Sequence, residues 1–258
     1  MAFTLAHPAA VMPLRRLRYL PTLALLIGSV VPDVPYYLPY RAITVDLIDL
    51  HTLFGAAVVG IPLGMLILAL GLSLRRPLTA LMTERARWVS LREAEAFLSR
   101  PVNWLLAIPA LFVGSLTHIL WDGFTHTNTW ITSQLGVLDG QVDVFGLYTG
   151  PLSHILQYVT TVLGFVLLWY WYHLVAAEAP PEVIAVSNRP RLRVLLLVIA
   201  AALAMGIVHT LRAYHRFPTI YGLLYLLLTR TTAWFMLLYL LAGAMVLRMR
   251  RPQPQLES

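Results

Sequence analysis

The chain has 258 residues, of which 59% are hydrophobic and only 12% charged, with a net charge of +7 and a mean hydropathy of +0.72. A soluble domain carries about 25% charged residues, so the composition excludes a water-soluble globular fold and describes a polytopic membrane protein. Cysteine is absent, which removes disulfides and thiolate chemistry and leaves His, Asp, Glu and backbone oxygen to hold any metal.

Taken in chain order, Met1 to Pro8 places no basic residue ahead of its first apolar ones and does not read as a cleaved signal peptide. From Pro8 to Val31 the apolar run is broken by Pro13, Arg15, Arg16, Arg18 and Pro21, and only Thr22 to Val31 is uninterrupted. That remnant is too short to cross a bilayer core of about 30 Å. The segment is expected to be either a span or a re-entrant hairpin of two half-helices that turns near Pro21. Next, Val31-Pro32-Asp33-Val34-Pro35 sets a carboxylate on a turn stiffened by two prolines; a plain turn or cap aspartate is the alternative. Asp46, Asp49 and His51 precede a clear span, Thr52 to Leu74. Asp49 and His51 suggest a carboxylate–imidazole pair, although carboxylates there also suit the helix dipole.

Arg75 to Arg100 holds six Arg residues, and a further span runs from Val102 to Trp121 with Pro109 as a kink. The stretch Asp122 to Pro151 has no Arg or Lys. Spans follow at Leu152 to Ala177, Val194 to Leu211 and Tyr221 to Leu247. All 19 basic residues are Arg and most fall between apolar runs, which the positive-inside bias explains better than nucleic-acid contact; no nucleic-acid partner is expected. With the Arg-rich segments in the cytoplasm, the 122–151 loop is external and the C-terminus cytoplasmic. His209, Arg212, His215 and Arg216 then form a further external cluster. The expected fold is an all-α helical membrane bundle of five full spans plus the N-terminal span or re-entrant hairpin. Its divisions are a polar-site-bearing core over 1–177, a linker over 178–193, two C-terminal spans over 194–247 and a disordered tail over 248–258.

The chemistry concentrates in Thr117-His118-Ile119-Leu120-Trp121-Asp122-Gly123-Phe124-Thr125-His126. Residues four apart stack on one helix face, so His118, Asp122 and His126 are expected to project together. Ionisable groups in or beside a bilayer are costly, which makes a cluster a functional-site candidate, and imidazole with carboxylate is an ordinary ligand set for zinc. Interfacial capping is the plainer alternative. No nucleotide-binding loop, serine elbow or His-Glu-x-x-His motif is present.

Phe3-Thr4-Leu5-Ala6-His7-Pro8-Ala9, Gly28-Ser29-Val30-Val31-Pro32-Asp33-Val34-Pro35-Tyr36-Tyr37, His51-Thr52-Leu53 and the His118–His126 segment together resemble the bacterial membrane family catalogued as domain of unknown function 4184. More distantly, their order is similar to inner-membrane metal-dependent hydrolases that are likened to zinc-dependent phospholipases C. Around His51, however, the chain reads Asp-Leu-His-Thr-Leu-Phe instead of their His-Arg-Gly-x-Thr-His. The resemblance implies a bacterial inner-membrane protein with His7, Asp33, His51, His118, Asp122 and His126 as metal-site residues, and Asp122 as ligand or general base. The function expected is a hydrolase using a divalent metal, most simply zinc, on a phosphoester or lipid head group at the outer face. An ion- or proton-coupled transporter and a non-catalytic assembly protein are the alternatives.

Overall fold

The computed structural model describes residues 4–17, 19–37, 48–146, 148–184, 187–213 and 220–249. Asp46, His215, Arg216 and the expected tail beyond Met249 lie outside these. In chain order the helices are α1 (Pro8–Val11), α2 (Thr22–Gly28), α3 (Val34–Tyr37), α4 (Leu53–Gly55), α5 (Ile61–Ser73), α6 (Arg75–Thr79), α7 (Glu84–Leu98), α8 (Val102–Thr125) and α9 (Trp130–Gln134). After the strands β1 (Gln141–Val144) and β2 (Tyr148–Pro151) come α10 (Leu152–Ala176), α11 (Pro181–Ile184), α12 (Arg189–Arg212) and α13 (Ile220–Met249). The fold is all-α apart from one small hairpin.

Five helices are long and apolar enough to cross a membrane: Leu53–Ser73, Val102–Thr125, Leu152–Ala176, Arg189–Arg212 and Gly222–Met249. The first is a continuous rod in which α4 passes through a π-helical turn, Ala56–Gly60, into α5. At about 1.5 Å per residue its 21 residues cover roughly 31 Å, the thickness of a bilayer core. α8 continues unbroken through Pro109. α10, α12 and α13 leave rows of large apolar side chains exposed, Val162, Phe165, Leu197 and Leu241 among them. Such surface suits lipid contact rather than water.

The chain divides into two compact units. The first comprises residues 1–35, 41–69 and 95–177. At its centre α2 lies against α8, backbone to backbone. A Cβ on Gly28 would collide with the Leu111 carbonyl, and one on Gly114 with Leu25 and Ser29 backbone atoms. Only glycine permits so close a crossing, and Ser115 Oγ locks it by donating to the Gly28 carbonyl at 3.1 Å. The segment before α2 doubles back as expected of a hairpin: α1, a 3₁₀ turn at Met12–Arg16, then α2 after Pro21. Its two ends meet, Thr4 Oγ1 donating to Asp33 Oδ2 at 2.5 Å. The 122–151 loop contains what periodicity did not reveal, α9 and an antiparallel pairing of β1 with β2 that sets Gln141 opposite Pro151.

The second unit comprises residues 36–40, 70–94 and 178–258. α12 and α13 form its long antiparallel pair, and α6 packs on α13, where Tyr239 Oη donates to the Leu78 carbonyl at 2.9 Å. The start of α7 is tied to the start of α12 twice: Glu84 N–H donates to Asn188 Oδ1 at 2.9 Å, and the Glu84 carboxylate pairs with Arg191.

Candidate metal centre

Three local devices bring distant residues to one point. The Gly28–Gly114 crossing presses the end of α2 against α8, so that the Ser29 carbonyl accepts from His118 Nδ1 at 2.8 Å. A 3₁₀ turn over Val31–Asp33 then carries Asp33 inward, where it is 1% exposed. Before α4, Asp49 organises a tight turn. Its carboxylate accepts from the His51 N–H at 2.9 Å, and its carbonyl from Thr52 Oγ1 at 2.8 Å, while Thr52 caps α4 by accepting from Gly55 N–H. His51 is thereby aimed back across the rod. α8 supplies His118 and Asp122, one turn apart on one face.

Four atoms converge: Asp33 Oδ1, His51 Nε2, His118 Nε2 and Asp122 Oδ2. Around the ring the separations are 3.4 Å (His51–Asp33), 3.7 Å (His51–Asp122), 3.3 Å (His118–Asp122) and 3.6 Å (His118–Asp33). A tetrahedral zinc with nitrogen and oxygen ligands at about 2.0–2.2 Å has ligand–ligand edges of roughly 3.3–3.6 Å. The buried group therefore has the donor types and the dimensions to bind a metal ion.

The outward-facing atoms of the same four residues are all engaged. His118 Nδ1 donates to Ser29 O, and His51 Nδ1 faces Asp49 Oδ1 at 3.3 Å. Asp33 Oδ2 accepts from Thr4, and Asp122 Oδ1 faces His7 Nε2 at 3.0 Å. With Nδ1 of each imidazole committed to an oxygen, the Nε2 lone pair is left for the centre, the arrangement that fixes metal-binding imidazoles elsewhere. On the inner side, Asp33 Oδ1 and His118 Nε2 are buried and make no hydrogen bond. Buried polar atoms ordinarily have a partner, so their convergence on one another's lone pairs points to a shared ligand.

Charge supports the same geometry. Burial acts to raise the Asp33 carboxyl, but the facing imidazoles of His118 and His51 outweigh it and hold the group well below the usual carboxylate range. Burial likewise disfavours a charged His51, yet the Asp33 carboxylate prevails and raises its imidazole above the ordinary value. His126 goes the other way, burial lowering it despite Asp122 nearby.

All six residues singled out in the sequence sit in this one region, in two tiers. His7 stacks on the His118 ring at 3.9 Å between centroids, donates from Nδ1 to the Thr4 carbonyl, and meets the four-atom group only from outside, at Asp122 Oδ1. His126 does not complete the expected helical face. α8 ends at Thr125, and His126 is its C-cap, in extended conformation. Its Nδ1 lies 3.5 Å from Asp122 Oδ1. The spacing argument thus holds for one turn and fails for the second, because the helix stops. Two groups that complete the site lie inside the family-like segments but were not singled out as site residues: the Thr4 hydroxyl, 29 residues from its partner, and the Ser29 carbonyl. The Asp49–His51 pair was legible from its spacing. His154, also on the first unit, faces Tyr148 Oη at 3.2 Å and takes no part in the four-atom group. Exposure is one-sided: His118 is sealed, whereas Asp122 is 13% and His51 23% exposed. The mouth is formed by His51, Asp122 and His126.

A model of the family described as domain of unknown function DUF4184 matches residues 1–246. The chain belongs to this family. No curated protein and no solved structure matches it. The matched span contains every DUF4184 residue described above, from Thr4 at the outer tier to His126 at the mouth.

Proposed function

We propose that this DUF4184 protein is a membrane-embedded metal-dependent hydrolase that acts on a phosphoester or lipid head group at the outer face of a bacterial inner membrane. One observation carries the reading: four donor atoms converging within 4.8 Å of one another, each on a side chain whose other polar atom is already held. Two nitrogens and two oxygens with these edges suit zinc best. A metal so bound polarises a phosphoryl or acyl oxygen and lowers the pKa of a bound water. The protein's own groups supply the rest. Asp122 turns Oδ2 inward while His7 engages Oδ1, which favours a ligand role over general base. His126, at the mouth and outside the four-atom group, is placed to take a proton from a water approaching there.

The outer-face assignment rests on the site's place at one end of two spans, the start of α4 and the end of α8. The Arg-rich segments flank the opposite ends of α5 and α8, so the positive-inside bias turns the site outward and leaves the C-terminus cytoplasmic.

Elemental analysis of protein purified without chelators is the direct test. About one equivalent of zinc per chain is expected; less than about a tenth of an equivalent of any transition metal overturns the proposal. Hydrolysis of bis(4-nitrophenyl) phosphate and of phospholipid vesicles, abolished by chelation and restored by zinc, tests the activity separately from the metal.

A further inference from the structure

The second unit contains a cavity of about 570 Å³, within the size range of sites that hold small amphiphilic ligands. Its walls are apolar: Leu81, Leu195, Phe235 and Met236 are among them. One wall is not. Arg191 lines the cavity and is only 6% exposed, on the first turn of α12. A guanidinium carries five N–H donors. Nη2 of Arg191 pairs with the Glu84 carboxylate, while Nε and Nη1 are buried and have no partner among the described residues. The neighbouring polar groups are already committed, Asn188 Oδ1 to the Glu84 N–H and Tyr239 Oη to the Leu78 carbonyl.

Unsatisfied donors on a buried cation call for an acceptor, and a guanidinium N–H donates strongly to a phosphate oxygen. The apolar walls call for hydrocarbon. Depth agrees with both. Arg191 is two residues into a span that begins at Arg189, the level of lipid head groups, and Leu195 lies one turn further into it. We infer that this cavity is a binding site for an anionic phospholipid of the surrounding bilayer, its phosphate on Arg191 and an acyl chain along Leu195, Phe235 and Met236. The inference is independent of the metal centre, none of whose residues belongs to the second unit.

The experiment is native mass spectrometry of the full chain, delipidated in mild detergent. It is titrated with dioleoyl phosphatidylglycerol, with phosphatidylcholine bearing the same chains, and with inorganic phosphate. One phosphatidylglycerol per chain is expected, with about a fivefold to tenfold preference over phosphatidylcholine, in line with one Arg at the head-group level. Arg191→Gln should erase that preference. Met236→Trp should lower retention of both lipids by filling the groove from a position 60% exposed, which keeps the question decidable if Arg191→Gln fails to fold. Equal retention of the two lipids by the unaltered protein overturns the inference. So does displacement of the lipid by millimolar phosphate, which would mark a simple anion site, or full retention in Met236→Trp.

Discussion

The two units bury charge in opposite ways. In the first, two carboxylates and two imidazoles face one another, and every atom on the outside of the group is held by a hydroxyl, a carbonyl, a carboxylate or a third imidazole. What is unmet lies at the centre, where only something the size of an ion fits. In the second, a single Glu84–Arg191 pair ties two helices together, and what is unmet lies on its flank, facing an apolar cavity. Both arrangements are costly without a further partner, because an uncompensated buried charge destabilises strongly. The difference is the shape of the deficit. Convergent lone pairs select a cation, and a divergent pair of N–H groups beside hydrocarbon selects an anionic amphiphile.

That contrast can be tested in descending order of effect. His118→Ala deletes a sealed ligand on the rigid face of α8, and metal content should fall below about a tenth of an equivalent, read by elemental analysis. Asp33→Asn keeps the shape but removes a ligand charge. It should weaken zinc at least as much as losing a supporting group does, about 100-fold in a competition titration. Asp49→Asn and Thr4→Val touch only the outer tier, and each should cost about 10-fold in metal affinity. His154→Ala should leave metal binding within about twofold, since His154 faces Tyr148 rather than the centre.

The pH dependence separates the loaded and metal-free proteins. Metal binding requires neutral imidazole, and the raised value of His51 means that protons begin to compete above pH 6.5. Affinity should therefore decline as pH falls, starting on the alkaline side of that value. The metal-free protein should behave oppositely over the same range. A raised folded value contributes stability that is fully present below pH 6.5 and lost as pH rises through it. Thermal unfolding with and without zinc between pH 6 and 9 should show the stabilisation by zinc widening as pH rises. A constant gap would show that His51 is not a ligand.

Much of this was written in the sequence. The spans are set by runs of apolar residues, and their limits agree with the helices within a few residues, the N-terminus of α12 excepted. There the Arg189–Arg193 stretch is polar by composition yet helical, because Arg191 finds Glu84. His118 and Asp122 were legible because helical periodicity is a local rule. The prolines of the N-terminal segment left it open as a span or a re-entrant hairpin, and its two ends, Thr4 and Asp33, lie in contact. The convergence itself was not legible. It depends on a glycine-to-glycine crossing that brings Ser29 to His118 across 89 residues, and no spacing along the chain encodes which two glycines meet.

That crossing also orders events during synthesis. The hairpin of residues 4–33 is broken by prolines and carries arginines, so lipid alone holds it weakly. Its anchors Gly114, Ser115, His118 and Asp122 lie on α8 and are made some 80 residues later, and α10, on which Thr4–Ala6 and α1 pack, is made later still. Until α8 and α10 are made, the first segment lacks the helices on which it packs. A truncation ending before residue 114 should therefore leave position 7 without a fixed topology, and one ending after residue 177 should fix it. The metal centre, on this view, is also the latch that closes when insertion of the first unit is complete.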